Sequence, residues 1–173
     1  MLGRFPARYD FTMRQALNFP TKLFNLLALI SFVLPATMRL ATASPADPWT
    51  PVQTVQAAQF AEELKLVKDP SPVVIYVGVR TLYNGAHIPG AVFHGPGSTE
   101  EGISDLKKYA ATLPKNSNIV LYCGCCPLEK CPNLRPAFTA IRDMGFAQLR
   151  VLILPTDFNT DWVEKGYPIQ KGS

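Results

Sequence analysis

The four cysteines of the chain lie within nine residues of one another. They are Cys123, Cys125, Cys126 and Cys131, in the segment Cys-Gly-Cys-Cys-Pro-Leu-Glu-Lys-Cys. A cysteine thiolate can act as a nucleophile, as a redox partner or as a ligand for a soft metal. Four thiols this close together therefore predict sulfur, redox or metal chemistry, and neighbouring elements must hold the sulfurs in place.

The cysteine segment stands between a predicted strand and a predicted helix. Residues 119–122 are a short apolar run typical of a buried strand. After the last cysteine, Asn133 can cap a helix, and Pro136 falls in its first turn. A thiol at the end of such a strand faces free backbone N–H groups and the positive end of a helix dipole, which favour a thiolate and bind anions. Cys123 has this position, and we expect it to be the nucleophile.

Strands and helices are predicted to alternate along the chain. Apolar runs predict buried strands at 73–79, 119–122 and 149–154. Amphipathic or capped segments predict helices at 56–66, 98–113, 134–144 and 157–165, and Ser98 with Glu101 forms a capping box for the second of them. This alternation favours an α/β fold in which helices flank both faces of a parallel β-sheet. Ligands of such sheets bind beyond the carboxyl ends of the strands, so we expect Arg80 and Cys123 to lie together there.

Residues 1–43 have the pattern of a secretory signal peptide. An apolar run at 23–38 follows Arg14 and Lys22 and precedes a small-residue cleavage site, Ala-Thr-Ala at 41–43. The apolar core at 26–34 is short for a membrane span and ends at Pro35, so we expect cleavage and no stable membrane anchor. Met13 offers an alternative start. Residues 44–53 are expected to be an extended linker. Export to the periplasm or the exterior of a bacterial cell would place the cysteines where disulfides persist.

The charge of the chain is concentrated in its first 43 residues. They hold five of the 17 basic residues and one of the 13 acidic residues, so the remainder carries twelve of each. That remainder shows no basic patch with interleaved aromatic residues. We therefore expect no nucleic-acid partner.

Three segments resemble the rhodanese homology domain. Residues 74–80 are similar to its first strand, and Ala-His-Ile-Pro-Gly-Ala at 86–91 matches its His-Ile-Pro-Gly-Ala signature. Residues 120–123, Val-Leu-Tyr-Cys, resemble the strand that ends in the catalytic cysteine of that family. The resemblance extends over residues 54–171, and it implies a single rhodanese-like domain there.

The resemblance implies sulfur transfer through a persulfide on Cys123. The donor would be a small molecule such as thiosulfate, the acceptor a thiol or a cyanide-like nucleophile, and the protein a monomer without a cofactor. Backbone N–H groups of residues 124–128, apart from Pro127, would surround the sulfur, and two cations would attract the anion. The candidate substrate-binding residues are Gly124, Cys125, Cys126, Lys130, Arg135 and Arg80. A solvated surface charge is the simpler role for Lys130, and a structural ion pair the simpler role for Arg80.

The cysteine loop departs from the family pattern and leaves other functions open. It is about five residues longer than usual and carries three further cysteines, and Gly78 stands where the family usually has Asp. Cys123 and Cys126 have the spacing of a redox dithiol. Cys125, Cys126 and Cys131 are the further candidates for a redox or metal site, and with Cys123 they form a C-x-C-C-x4-C set in which Cu(I) or Zn(II) would bind. A structural disulfide between Cys126 and Cys131 is the third alternative.

The chain has two histidines, and each has a different expected role. His87 belongs to the signature turn, where the resemblance implies a structural function. His94 precedes Gly-Pro-Gly at 95–97, and it is the candidate that could approach the cysteine loop as a base or a ligand.

Overall fold

The computed structural model describes residues 46–66 and 71–172. The predicted signal peptide and the alternative start at Met13 lie outside the described residues, so both stay predictions. Within the described ranges, no helix has the length and apolar character needed to cross a membrane.

Five strands and four α-helices alternate along the described chain. The strands are β1 (Thr54–Gln56), β2 (Val73–Tyr76), β3 (Val92–Phe93), β4 (Asn118–Tyr122) and β5 (Gln148–Ile153). The helices are α1 (Ala57–Leu66), α2 (Arg80–Gly85), α3 (Glu100–Ala110) and α4 (Leu134–Arg142). Short 3-10 turns occur at Pro51–Gln53 and Leu128–Lys130, and a π-helical turn at Asn159–Val163 replaces the last predicted helix.

The strands form one parallel sheet in the order β1-β5-β4-β2-β3. The predicted α/β architecture is therefore confirmed. Strand β4 lies in the middle of the sheet, where both of its faces are covered, and this explains why residues 119–122 are a continuous apolar run.

Side chains of β4 alternate between two cores, one on each face of the sheet. Ile119 and Leu121 pack on one face with Phe138 of α4, and Cys123 continues this face. Val120 and Tyr122 pack on the other face with Phe60 of α1 and with Trp162 of the π-helical turn. The alternation thus directs the Cys123 side chain toward α3 and α4.

The segment expected to be a linker packs against the domain from residue 46 onward. Trp49 is 9% exposed, and its ring makes an edge contact with that of Phe138 at 5.4 Å between centroids. Asp47 forms an ion pair with Arg135 at 2.7 Å. Residues 46–53 are consequently part of the folded unit.

Helix α3 begins one residue later than the capping box predicts. The hydroxyl of Thr99 accepts a hydrogen bond from the N–H of Gly102 at 3.0 Å, so Thr99 is the N-cap. The N–H of Ser98 instead donates to the side-chain oxygen of Asn133 at 3.1 Å. The start of α3 is thereby tied to the start of α4.

We expect Phe138→Ala to lower the free energy of unfolding by about 3–5 kcal/mol, because it leaves a cavity under the sheet where Phe138 is fully buried. Leu66→Ala at the exposed end of α1 is the matched control, and it should change the value by less than about 0.5 kcal/mol. Urea unfolding measures both. Equal effects would contradict the assignment of the core.

Candidate active site

A cavity of about 540 Å³ lies beyond the carboxyl ends of β2, β4 and β5. Tyr76 at the end of β2, Gly124 and Cys125 after β4, and Asp157 and Phe158 after β5 contribute to its wall. This is the edge of a parallel sheet at which ligands bind, as the sequence predicts. The rest of the wall is mostly apolar, with residues from α2, the π-helical turn and the C-terminal segment: Leu82, Ala86, Val163 and Ile169.

Three of the four sulfurs meet beside this cavity. The sulfur of Cys123 is 3.2 Å from that of Cys125, and the sulfur of Cys131 lies within 4.8 Å of both. Cys126 touches the group at its edge, 3.4 Å from Cys125. All four cysteines are free thiols. We call Cys123, Cys125 and Cys131 the thiol cluster. The structure thus brings together three members of the predicted four-cysteine set and leaves Cys126 outside the cluster.

The loop after β4 folds back on itself to bring Cys131 to the cluster. Gly124 has φ of 72°, and a β-carbon there would lie 2.6 Å from the Cβ of Phe158, so glycine is required at this turn. The N–H of Leu128 donates to the carbonyl of Pro155 at 3.3 Å, which fixes the 3-10 turn. The turn then returns the chain to the end of β4, where Cys131 is buried.

Asn133 is a site residue that sequence reasoning assigned to another role. It stands at the N-cap of α4 but makes no side-chain capping bond. Its buried amide instead donates to the sulfurs of Cys123 and Cys125 at 3.5 and 3.6 Å. One feature of the sequence could have indicated this role. Asn133 lies two residues after Cys131 at the start of a helix, where a polar side chain can turn back toward the sulfurs.

Hydrogen bonds within the cluster separate the acidities of its thiols. The S–H of Cys123 donates to Cys125 and, together with donors from Cys126 and Asn133, lowers the pKa of Cys125 to about 5 against the opposing effect of burial. The pKa of Cys131 falls to about 7, first because of Cys123 and then because of the backbone N–H groups of Asn133 and Leu134.

The same arrangement raises the pKa of Cys123, because its proton is held by Cys125 and Cys131 and because the thiol is buried. Burial likewise raises the pKa of Cys126 to about 12. This direction is opposite to the lowered pKa expected for Cys123, and its role as the nucleophile stays a prediction. Of the backbone N–H groups of residues 124–128, which were expected to surround Cys123, that of Cys125 donates to its sulfur. The N–H groups of Asn133 and Leu134, at the start of α4, donate to the sulfur of Cys131.

Arg135 connects the cysteine loop to the segment that precedes β1. Its guanidinium donates to the carbonyls of Leu128 and Cys131 at 3.2 and 3.4 Å and pairs with Asp47. This engagement gives Arg135 a structural role, and the expected role in attracting substrate stays a prediction. Lys130 lies exposed on the 3-10 turn, as a solvated surface charge would.

Arg80 opens α2 and stacks on an aromatic ring. Its guanidinium carbon lies 3.8 Å from the ring centroid of Phe93 in β3, and the residue is exposed. Within the described ranges it has no acidic partner, so the expected ion pair is replaced by a cation–π contact. The structure does not bring Arg80 into the thiol cluster.

Tyr76 occupies the space that a side chain at position 78 would need. A β-carbon on Gly78 would lie 2.5 Å from the Tyr76 hydroxyl oxygen and 3.0 Å from the sulfur of Cys123. Tyr76 is 2% exposed and belongs to the cavity wall, and its hydroxyl oxygen is buried. Burial raises the pKa of Tyr76, and the backbone of Val79 acts in the opposite direction. The raised pKa keeps the hydroxyl protonated, and Tyr76 fills the space beside Gly78 and Cys123.

Both histidines serve packing away from the cluster. The Nδ1 atom of His87 is 2.8 Å from the carbonyl of Tyr83, and the two rings stack. The Nδ1 atom of His94 is 2.8 Å from a carboxylate oxygen of Asp105 in α3, and its ring stacks on Tyr109. The structural role expected for His87 agrees with this geometry, and the approach of His94 to the cysteines is not observed.

Comparison with known proteins identifies the fold. No protein-family model and no curated protein sequence matches the chain. The rhodanese-like domain of a protein from Anabaena sp. matches with a TM-score of 0.51 and 23% identity, over 69% of this chain and 79% of that one. A protein from Bacillus halodurans matches with a TM-score of 0.53 and 19% identity, over 68% and 76%.

A thiosulfate sulfurtransferase from Pseudomonas aeruginosa also matches, with a TM-score of 0.52 and 23% identity. The match covers 75% of this chain and 20% of that enzyme. Identities at this level show the fold alone. The described chain therefore has a rhodanese-like fold, which confirms the fold implied by the sequence resemblance.

We expect Gly78→Ala to lower the free energy of unfolding by about 1–3 kcal/mol, because the added methyl group must displace the ring of Tyr76 or the thiol of Cys123. Gly85→Ala at the end of α2 is the matched control, since no atom lies within 4 Å of its β-carbon. Thermal and urea unfolding measure both variants. A neutral Gly78→Ala would contradict this packing.

The most acidic thiol should be alkylated at pH values where an ordinary cysteine is inert. Because Cys125 has a pKa of about 5, its rate with iodoacetamide should be constant above pH 7 and should fall as the pH drops through about 5. Cys125→Ser should remove this phase, whereas Cys126→Ser should retain it. If the alkylation rate of the fastest-reacting thiol had its pH midpoint above 8, the hydrogen-bonding scheme would be contradicted.

Proposed function

We propose that this protein is a sulfurtransferase that carries a sulfane sulfur as a cysteine persulfide, and that Cys125 takes up the sulfur. The observation that carries the proposal is the place of Cys125. Cys125 lines the cavity, and Cys123 and Asn133 direct hydrogen bonds at its sulfur from the protein side. A thiol that is both accessible and stabilised as a thiolate is the requirement for nucleophilic attack.

Exposure favours Cys125 over Cys123, the position that the rhodanese resemblance implies. Cys123 is 2% exposed and is not among the residues that line the cavity, whereas Cys125 is half-buried at its wall. Cys123 acts in this proposal as a positioning residue, because its S–H stabilises the neighbouring thiolate. A persulfide on Cys123 is the alternative that experiment must separate from it.

The reaction needs no oxidant and no cofactor. The Cys125 thiolate attacks the outer sulfur of a donor such as thiosulfate, the S–S bond of the donor breaks, and sulfite leaves with the electron pair. The product is a persulfide anion on Cys125. An acceptor thiolate or cyanide then attacks the outer sulfur and releases Cys125 as a thiolate.

The cavity offers donors for the anions that form in this sequence. Asn133 and the S–H of Cys123 contact the Cys125 sulfur, and Tyr76 belongs to the cavity wall. Lys171 adds a positive charge to the wall. Donors that are already in place stabilise developing negative charge without reorganisation.

The proposal includes export of the protein. The signal pattern of residues 1–43 supports a location in the periplasm or outside a bacterial cell, with the folded unit free of the membrane after cleavage and monomeric. Turnover there depends on a donor and an acceptor that are present in that compartment.

Thiosulfate should add the mass of one sulfur atom to the reduced protein, and cyanide should remove it as thiocyanate. Native intact-mass measurement follows both steps. Cys125→Ser should abolish the gain, and Cys126→Ser, the matched control at the edge of the cluster, should retain it. Cys123→Ser should keep a weaker gain, because serine still donates a hydrogen bond to Cys125.

Other results would overturn parts of this account. A gain that survives in Cys125→Ser and is lost in Cys123→Ser would place the persulfide on Cys123. A protein that gains no sulfur and loses two hydrogens would be a thiol–disulfide module. No change of mass under any condition would contradict sulfur transfer.

A further inference from the structure

The thiol cluster has the dimensions of a metal site made of sulfur alone. The sulfurs of Cys123, Cys125 and Cys131 lie within 4.8 Å of one another, and the shortest separation is 3.2 Å. Three thiolates at metal–sulfur distances of about 2.3 Å are spaced about 4 Å apart around a central ion. To reach that geometry the shortest edge, 3.2 Å, must open by less than about 1 Å, and the other edges, at most 4.8 Å, must close by no more than about 1 Å.

We propose that Cys123, Cys125 and Cys131 bind one Cu(I) ion in a trigonal thiolate site. Soft thiolate ligands select Cu(I), whereas structural Zn(II) takes four ligands in a tetrahedron. Among the described residues, the compact ligand group contains neither histidine nor carboxylate. Cys126 stands 3.4 Å from Cys125 but outside the triangle, so the geometry provides three ligands and not four.

The surroundings of the cluster offset the negative charge of three thiolates. The amide of Asn133 donates to two of the sulfurs, and the N-terminal backbone of α4 approaches the third. Helix α4 also directs the positive end of its dipole at the site. Binding releases the thiol protons to solvent and leaves Cu(I) in its oxidation state, so the step needs no redox partner.

This site differs from the one that the sequence suggests, and it is independent of sulfur transfer. The sequence indicates a set of all four cysteines, whereas the structure groups Cys123, Cys125 and Cys131 and leaves Cys126 outside. Because Cys125 belongs both to the metal site and to the proposed persulfide site, bound Cu(I) should block sulfur uptake. Copper binding itself does not require that sulfur transfer occurs.

The test is an anaerobic titration of the reduced full chain with Cu(I) against the chromogenic chelator bathocuproine disulfonate. The chain should compete for one equivalent, and X-ray absorption should show three sulfur neighbours and no nitrogen. Loss of a residue that only hydrogen-bonds to a metal ligand lowers metal affinity roughly 10–100-fold. Because Cys131→Ser removes a ligand itself, it should lower the Cu(I) affinity by more than that. Cys126→Ser should bind with unchanged affinity, and urea unfolding checks that both variants are folded.

The two proposals fail in different ways. Cys131→Ser should lose copper affinity and still gain sulfur from thiosulfate, so the mass experiment reports on one function and the chelator on the other. Equal losses in Cys126→Ser and Cys131→Ser would overturn the three-sulfur site. No competition with the chelator, a nitrogen or oxygen neighbour, or tighter four-coordinate binding of Zn(II) would overturn it as well.

Discussion

The carboxamide of Asn133 is the contact on which the site depends. Its oxygen accepts the N–H of Ser98, and its nitrogen donates to the sulfurs of Cys123 and Cys125. One buried side chain therefore joins the end of β4, the start of α3 and the cysteine loop. A buried amide without these partners would cost about 1–3 kcal/mol, so the hydrogen bonds specify this arrangement as well as stabilise it.

A long loop can carry chemistry here because both of its ends are anchored in the core. Cys123 continues the buried face of β4, and Cys131 returns to the same core before α4 begins. Arg135, in the first turn of α4, donates to two carbonyls of the loop and also pairs with Asp47. The ion pair with Asp47 explains why residues before β1 belong to the folded unit. The half-buried Cys125 is thus held at the cavity wall by groups whose own positions are fixed.

The sequence was sufficient to predict the fold and the segment that forms the candidate site. Continuous apolar runs predict buried parallel strands, and the position of Cys123 at the end of β4 follows from the run at 119–122. The roles within the loop could not be predicted in the same way, because spacing does not determine which way a loop side chain points. Asn133 stands at a position typical of an N-cap, but its side chain donates to cysteine sulfurs instead. Arg135 stands near the cysteines in the sequence, but its guanidinium pairs with Asp47.

The structure also differs from the sequence patterns at Ser98 and Gly78, and the cause is similar. The pattern Ser98–Glu101 satisfies the capping rule, but the N–H of Ser98 is already taken by Asn133, and Thr99 caps α3. A side chain at position 78 would collide with the ring of Tyr76 and with the sulfur of Cys123, which lies far away along the chain, so a local pattern does not reveal why glycine stands there. Tertiary contacts decide both positions.

A crystal structure of the reduced protein soaked in thiosulfate, recorded with anomalous scattering from sulfur, tests the central claim most directly. The account predicts one additional sulfur bonded to Cys125, pointing into the cavity toward Tyr76, with Cys123 and Asn133 still in contact with the Cys125 sulfur. An additional sulfur on Cys123, or a disulfide within the cluster and no additional sulfur, would contradict it.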